Sequence, residues 1–217
     1  MLLAVDTSTR AVGVALYDGA QILSESIWTS HDFHTVELAP AVRSTLERSR
    51  VDVKDLQAVA AAIGPGSFTG LRIGLALVKG LALVRHIPLI GVPSLDPLAA
   101  AQPLLAIPMA AVLRAGRGRL AVGWYRPGSK SWEATGKTEI ATAEELAERI
   151  QEPTRVCGEL NAEERRLLAR KRKIIRLASP AYSLRRPSFL AELAWRRWRT
   201  GQVDDPATLS PIYLHHN

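Results

Sequence analysis

The chain has 217 residues, 47% hydrophobic and 23% charged, which is typical of a globular protein with room for one large domain or two small ones. No apolar run is long enough to cross a bilayer, and the N-terminal sequence lacks the basic region of a secretory signal, so a cytoplasmic protein is expected. The net charge of +7 lies in the second half, because residues 1–100 carry 8 Lys/Arg and 9 Asp/Glu while residues 101–217 carry 20 and 12, a bias that predicts attraction to polyanions without identifying one.

The chain opens with an antiparallel meander. Three strands are predicted from short apolar or alternating runs, over 2–5, 12–16 and 22–28. The first strand runs into the turn Asp6-Thr7-Ser8, and a strand followed by Asp-x-Ser/Thr resembles the start of actin, Hsp70 and the sugar kinases. In that superfamily the turn contacts a phosphate and its Asp helps to place a metal. The alternative is that Asp6 and Thr7 only satisfy backbone groups in the turn.

A helix is predicted next, over 35–49. Apolar residues recur there at helical spacing, at Leu38, Ala39, Val42 and Leu46. His31 and His34 lie at its start, three residues apart, and two histidines on one helix face can share a metal. A metal site needs further ligands, and no other His or Cys lies nearby in the sequence. Hydrogen bonding at the helix start is therefore favoured, and no metal site is predicted.

A glycine-rich stretch follows a predicted buried strand over 59–63. Its glycines are Gly64, Gly66 and Gly70, with Ser67 and Thr69 between them. This spacing matches neither a dinucleotide-binding loop nor a P-loop, and Leu71 stands where a P-loop requires Lys. Thr69 is the predicted N-cap of the next helix, whose first N–H groups could bind an anion.

The predicted helix over 70–85 is apolar on nearly every side. Its only charged residues before the last turn are Arg72 and Lys79, while Leu71, Leu75 and Val78 occupy the rest of its surface. A helix of this kind is buried on several sides. Either its own domain surrounds it, or a partner subunit covers one face.

The run from Ile63 to Gly74, Ile-Gly-Pro-Gly-Ser-Phe-Thr-Gly-Leu-Arg-Ile-Gly, resembles the signature of the TsaB (YeaZ) family. That family supplies the bacterial accessory subunit for making threonylcarbamoyladenosine in tRNA. The resemblance extends over the first lobe and implies an α/β protein with the two-lobe actin/Hsp70/sugar-kinase (ASKHA) fold of mixed sheets flanked by helices. The expected first lobe is 1–102 with a C-terminal return over 187–217, and the expected second, smaller lobe is 103–186.

The second lobe departs from the family pattern. Relatives carry acidic residues in a strand turn where this chain has Arg114, Arg117 and Arg119, so what that segment contacts stays open. Strands are predicted over 107–113, 120–125, 132–140 and 155–158, with a capped helix over 143–150. The lone Cys157 is expected to be a small core side chain.

Two basic stretches follow. The run 165–173 holds six Lys/Arg, which are interpreted as the solvated face of a helix or, alternatively, as phosphate contacts. A helix predicted over 187–200 places Trp195 and Trp198 among arginines, where they either belong to the core or stack on bases. The segment after this helix is expected to return to the first lobe.

The resemblance implies a non-catalytic subunit, without a cofactor of its own, in a tRNA threonylcarbamoyl transferase complex. It would bind a TsaD-like catalytic subunit, alongside a TsaE-like ATPase and tRNA, and form a homodimer when alone. Degenerate phosphate or turn loops are assigned to Asp6, Thr7, Ser8, Gly64, Gly66, Ser67, Thr69 and Gly70. The partner interface is assigned to the helices over 35–49 and 70–85, at Val36, Ala39, Val42, Leu46, Leu71, Gly74, Leu75 and Val78.

Two other classes of function stay open. An enzyme of this superfamily would be a small-substrate kinase or ATPase using Asp6 and the glycine-rich stretch, although no second Asp-Gly-Gly loop and no adenosine motif is found in the second half. A stand-alone RNA-binding protein would use residues 165–199.

Overall fold

The computed structural model describes residues 1–31 and 34–214. The chain divides into two units, one of residues 1–97 with 186–212 and the other of residues 98–185 with the residues from 213 onward. The lobe limits expected from the sequence, 1–102 with 187–217 and 103–186, stay a prediction. Each unit contains one mixed β-sheet flanked by helices, as expected for the predicted α/β protein with two lobes.

The first unit is built on a sheet in the order β3-β2-β1-β4-β5. Its elements in chain order are β1 (Leu2–Asp6), β2 (Ala11–Tyr17), β3 (Ile22–Thr29), α1 (His34–Arg48), β4 (Ala58–Ala62), α2 (Phe68–Arg85), β5 (Leu89–Val92) and α6 (Pro187–Arg199), with α3 (Asp96–Ala100) at its boundary. Strand β1 pairs antiparallel with β2 and parallel with β4, so the predicted meander is confirmed.

Both faces of this sheet are covered, because alternate side chains of each strand point to opposite sides. Leu3 and Val5 of β1 pack in the cluster that includes α1 and α2 residues, and Leu2 and Ala4 pack in the cluster that includes α6 residues. The side facing α6 is lined by the alanines of β4, and such small side chains allow α6 to lie close to the sheet. None of the described helices combines the length and apolarity needed to cross a membrane.

The C-terminal segment returns to the first unit, as predicted. The N–H of Asp204 donates to the carbonyl of Leu89 (2.8 Å), and the N–H of Ile212 donates to the carbonyl of Ile63 (2.6 Å). Trp195 and Trp198 are half-buried and pack edge to face, with ring centroids 4.9 Å apart. The structural interpretation of these tryptophans is therefore favoured over base stacking.

The second unit has a sheet in the order β11-β10-β6-β7-β8, with β9 also paired to β7. Its elements in chain order are β6 (Met109–Arg114), β7 (Leu120–Pro127), β8 (Trp132–Ala134), β9 (Glu139–Ala141), α4 (Ala143–Arg149), β10 (Thr154–Gly158), α5 (Ala162–Ala169) and β11 (Ile175–Leu177). The predicted single strand over 132–140 is wrong. Both β8 and β9 pair with β7, but the register shifts by two residues between them, so the connecting residues 135–138 hold two residues more than the facing part of β7.

Cys157 lies in the core of the second unit, as predicted. Its side chain is fully buried, and its Sγ is 3.7 Å from the Sδ of Met109. Burial raises the pKa of the Cys157 thiol from 9.0 to about 12. This thiol is therefore a packing group and not a nucleophile.

We predict that native Cys157 does not react with a chromogenic disulfide reagent at pH 8, because at the raised pKa its thiolate fraction is about a thousandfold below that of an ordinary thiol. One equivalent should react once the chain is unfolded in denaturant. The absorbance of the released thiol measures both states. Rapid labelling of the folded protein would contradict the burial.

A carboxylate of β3 caps helix α6. Arg186 precedes this helix without a side-chain cap of its own, and Glu25 accepts a hydrogen bond from the N–H of Ser188 (3.0 Å) and another from Arg186 Nε (3.0 Å). Burial by itself would raise the pKa of Glu25, but these hydrogen bonds outweigh it and hold the pKa below the ordinary value of 4.5. Glu25 thus ties the α6 start to the first sheet.

We predict that Glu25→Gln lowers the free energy of unfolding at pH 7 by about 1–2 kcal/mol, as expected for loss of a charge-assisted cap. Because the pKa is lowered in the folded state, this contribution is present above pH 4.5 and disappears as the pH falls through the folded-state value. Urea titrations at both ends of this range measure the difference. The control Glu133→Gln, in an exposed ion pair with Arg126, should change stability by less than about 0.5 kcal/mol at either pH.

Candidate functional site

The glycine-rich loop of the first unit packs against the turn that follows β1. Asp6, Thr7 and Ser8 are 3%, 1% and 0% exposed. The N–H of Ser67 donates to the carbonyl of Ser8 (2.6 Å), and the hydroxyl of Thr7 donates to the carbonyl of Gly70 (2.7 Å). The turn and the loop that the sequence assigned to degenerate phosphate binding are therefore brought together, and each satisfies polar groups of the other.

A serine that sequence reasoning missed completes this contact. The hydroxyls of Ser8 and Ser94 are 2.6 Å apart, and Ser94 also accepts a hydrogen bond from the N–H of Gly64 (2.9 Å). Ser94 is fully buried just after β5. No sequence pattern distinguishes it from an ordinary helix-start serine, because its role depends on the parallel pairing of β4 with β5 and of β4 with β1.

The glycines of the loop allow this close approach. A Cβ at Gly66 would overlap the backbone of Ser8, and a Cβ at Gly70 would overlap the carbonyl oxygen of Thr7. One turn further along α2, a Cβ at Gly74 would overlap the hydroxyl of Thr7. These glycines accommodate the turn of the first strand, which accounts for a spacing that differs from known phosphate loops.

The predicted N-cap Thr69 is wrong. Helix α2 begins at Phe68, and Ser67 is its N-cap, with its Oγ accepting the N–H of Gly70 (3.2 Å). Thr69 lies in the first turn and is exposed. The helix begins earlier than expected because the backbone of Ser67 is held by Ser8, a contact between segments far apart in the chain.

Asp6 also serves the turn. One of its carboxylate oxygens accepts a hydrogen bond from the N–H of Ser8 (2.9 Å), which is the geometry of an Asx turn.

At the start of α1, the His34 ring is buried with Nε2 3.1 Å from the carbonyl oxygen of Thr9, as the hydrogen-bonding interpretation predicted. Among the described residues no group of three or more His, Cys, Asp or Glu could hold a metal ion. His215 and His216 lie outside the described residues.

Most of the predicted interface residues are buried inside the first unit. The exposed fractions of Leu71, Val78, Leu75, Leu46 and Val42 are 0%, 0%, 4%, 5% and 7%. Gly74 is buried against Thr7. Leu71, Gly74, Leu75 and Val78 therefore pack inside the unit, whereas Val42 and Leu46 also line the groove described next. The assignment of these residues to a partner interface stays a prediction. Val36 and Ala39 are exposed and keep that assignment as a prediction.

The outer faces of α1 and α2 instead form an apolar groove of about 470 Å³. Its lining comprises residues of both helices and of the segment after α1: Ala39, Val42, Arg43, Leu46, Glu47, Val51, Asp52, Val53, Leu77 and Leu81. Val84, on the same face of α2 as Leu77 and Leu81, is 77% exposed. Large apolar side chains grouped in this way are typical of a surface that another molecule covers.

Of the three arginines that depart from the family pattern, Arg114 has a structural role. Its guanidinium donates two hydrogen bonds of 2.9 Å to the carboxylate of Glu164, and its backbone N–H donates to Glu159. Arg117 has a left-handed backbone (φ 49°) at the tip of the β6–β7 hairpin, between Gly116 and Gly118. Arg119 is exposed in the same hairpin.

Comparisons with known proteins show which family the chain resembles. A family model described as "TsaD: tRNA N6-adenosine threonylcarbamoyltransferase" matches residues 21–181. The tRNA threonylcarbamoyladenosine biosynthesis protein TsaB of Bacillus subtilis is 37% identical over 125 residues, covering 58% of this chain and 55% of that protein. TsaB of Escherichia coli is 39% identical over 94 residues, covering 43% and 40%. The chain thus matches about half the length of these curated relatives or less.

A solved structure described as YeaZ from Pseudomonas aeruginosa superposes with a TM-score of 0.76 at 27% identity, covering 97% of this chain and 99% of that chain. The fold and the packed turn define an α/β protein of two units, in which the turn after the first strand is covered by the glycine-rich loop of its own unit. The chain belongs to the family that the transferase model describes, among its TsaB/YeaZ proteins.

We predict that Gly74→Ala destabilises the protein by about 1–3 kcal/mol, because the added Cβ overlaps the Thr7 hydroxyl. The matched control is Gly80→Ala in the same helix, where a Cβ meets nothing within 4 Å. That change should stabilise the protein by up to about 1 kcal/mol through helix propensity. Thermal and urea unfolding measure both variants. Adding Thr7→Ala to Gly74→Ala should recover part of the loss, and equal effects at the two glycines would contradict the contact.

Proposed function

We propose that this protein supports the formation of threonylcarbamoyladenosine in tRNA as a non-catalytic subunit that binds a TsaD-like catalytic subunit. The names of its relatives place them in this pathway, and the family model describes the transferase itself. A TsaE-like ATPase and tRNA complete the proposed cytoplasmic assembly. The observation that carries the proposal is the apolar groove between α1 and α2.

The packing of the turn supports a non-catalytic role. In an ATPase of this superfamily the turn after the first strand contacts phosphate, whereas here Ser67 and Gly70 of the same unit hydrogen-bond to it. Gly66 lies so close to Ser8 that even a methyl group would overlap the backbone. The space in which a phosphate would meet this turn is therefore filled by the protein itself.

The groove fits a partner that has the same pair of helices. The transferase described by the family model shares this fold, so it too has helices equivalent to α1 and α2. Two such pairs packed against each other bury their apolar outer faces as a four-helix arrangement. Arg43 and Glu47, paired at 2.7 Å, and Asp52 add charges that orient the partner. A second copy of this chain competes for the same surface, which accounts for the proposed homodimer.

Ala39→Glu tests the groove. Ala39 is an exposed residue of α1 that lines it, and glutamate is a good helix former, so the variant should fold normally. Association would bury the new carboxylate in an apolar groove whose arginine, Arg43, already pairs with Glu47. We expect affinity for the TsaD-like subunit of the same organism to fall by about a hundredfold or more. Isothermal titration calorimetry measures the affinity, and circular dichroism checks the fold.

The matched control is Val203→Glu, an exposed apolar residue of the same unit outside the groove, which should leave binding unchanged. Sedimentation velocity of the protein alone should show that Ala39→Glu also abolishes self-association. Undiminished binding by Ala39→Glu would refute the groove as the interface. ATP hydrolysis by the isolated chain that is lost in Asp6→Ala would refute the non-catalytic role.

A further inference from the structure

The net charge of the chain belongs entirely to the second unit. Residues 98–185 contain 16 Lys/Arg and 9 Asp/Glu, which is the whole excess of +7, while the remaining residues contain 12 of each. A neutral first unit and a strongly basic second unit indicate different kinds of partner. The basic unit is suited to a polyanion.

Within the second unit, cations concentrate where α5 ends and the edge strand β11 begins. Five exposed side chains, here called the basic surface, lie within eleven residues of the chain: Arg166, Arg170, Arg172, Lys173 and Arg176. None of the five has an ion pair or side-chain hydrogen bond within residues 1–31 and 34–214. Two neighbouring cations are used by the fold instead, since Arg165 donates to the carbonyl of Ala178 (2.8 Å) and Lys171 to that of Ala147 (2.7 Å).

The basic surface is presented by an ordered segment. The N–H of Arg170 donates to the carbonyl of Leu167 (3.1 Å), and the N–H of Ile175 donates to that of Lys171 (2.8 Å). The segment between α5 and β11 is held at both ends by core residues, since Leu168 and Ile175 are 0% and 2% exposed. The cations therefore need little ordering on binding, which lowers the entropic cost of the interface.

The acidic residues of α5 lie at its opposite end. Glu163 and Glu164 occupy its first turn, where they suit the helix dipole, and Glu164 is bound by Arg114 through two hydrogen bonds. In α4, which packs against α5, Glu148 is exposed and has no ion pair within the described residues. The positive charge of the basic surface is therefore not cancelled by the carboxylates of its own helix.

We infer that the basic surface binds the phosphate backbone of RNA. Four of its five cations are arginines, whose planar guanidinium groups bind phosphate oxygens in pairs. No large hydrophobic side chain is exposed within residues 162–177, which carry the basic surface, and those exposed elsewhere in the described part of the second unit are Leu104, Tyr182 and Leu184. A membrane-binding surface adds exposed apolar residues to its cations, so the lack of them here favours RNA over a lipid surface. The choice of tRNA as this RNA rests on the proposed function.

The double variant Arg172→Gln with Lys173→Gln tests this inference in the full chain. We expect it to weaken binding of a tRNA transcript about tenfold or more at physiological salt, and to make the slope of log affinity against log salt less negative by about 2. Fluorescence anisotropy across a salt series measures both quantities. The matched control, Lys130→Gln with Lys137→Gln, removes two exposed cations elsewhere in the same unit and should leave both quantities nearly unchanged.

Equal losses in the two double variants would overturn the inference, because only the net charge would then matter. Unchanged tRNA affinity in Arg172→Gln/Lys173→Gln would overturn it as well, and so would binding of phosphatidylserine vesicles that competes with tRNA. Affinity for the TsaD-like subunit, measured on the same variant, should be unaltered. Unchanged tRNA affinity together with unchanged affinity for the TsaD-like subunit would thus refute RNA binding by the basic surface and leave the proposed function standing. The groove as the subunit interface is tested separately by Ala39→Glu.

Discussion

The first unit depends on one contact, the packing of the Thr7-Ser8 turn against the start of α2. Ser67 reaches the carbonyl of Ser8, and the Thr7 hydroxyl reaches the carbonyl of Gly70, so the first strand and the central helix are joined by hydrogen bonds buried from water. Buried polar groups are costly unless paired, and here the pairing is reciprocal. The contact requires glycine at the helix positions that face it, because a Cβ there would overlap the turn.

Three consequences follow from that contact. It sets the first residue of α2 and therefore which side of the helix faces the sheet. It fills the space beside the turn with the glycine-rich loop of the same unit, so the loop has a structural use. It also turns the face with Leu77, Leu81 and Val84 outward, next to α1. An apolar groove is thus a direct result of how the turn and the helix pack.

The two units differ in surface chemistry in a way that suits an assembly with more than one partner. The first unit has no net charge and carries the groove, whereas the second unit carries the whole positive excess. Apolar surface favours a protein partner with a complementary face, and arginines without internal ion pairs favour phosphate. Arg114 shows that a basic residue in this unit is not by itself a ligand contact, because Glu164 neutralises it within the fold.

By itself the sequence determined most of the strands and helices, the family and the buried state of Cys157, because alternation, helical spacing and a twelve-residue signature are local properties of the chain. It also identified the turn and loop residues that meet, although not what they do. Only the tertiary structure decided that Ser67 and not Thr69 caps α2, that Ser94 joins the contact, and that Leu71 and Val78 face inward while Leu77 and Leu81 face the groove. A helix that is apolar on nearly every side has no preferred inner face of its own, so the direction it faces is set by contacts between residues far apart in the chain.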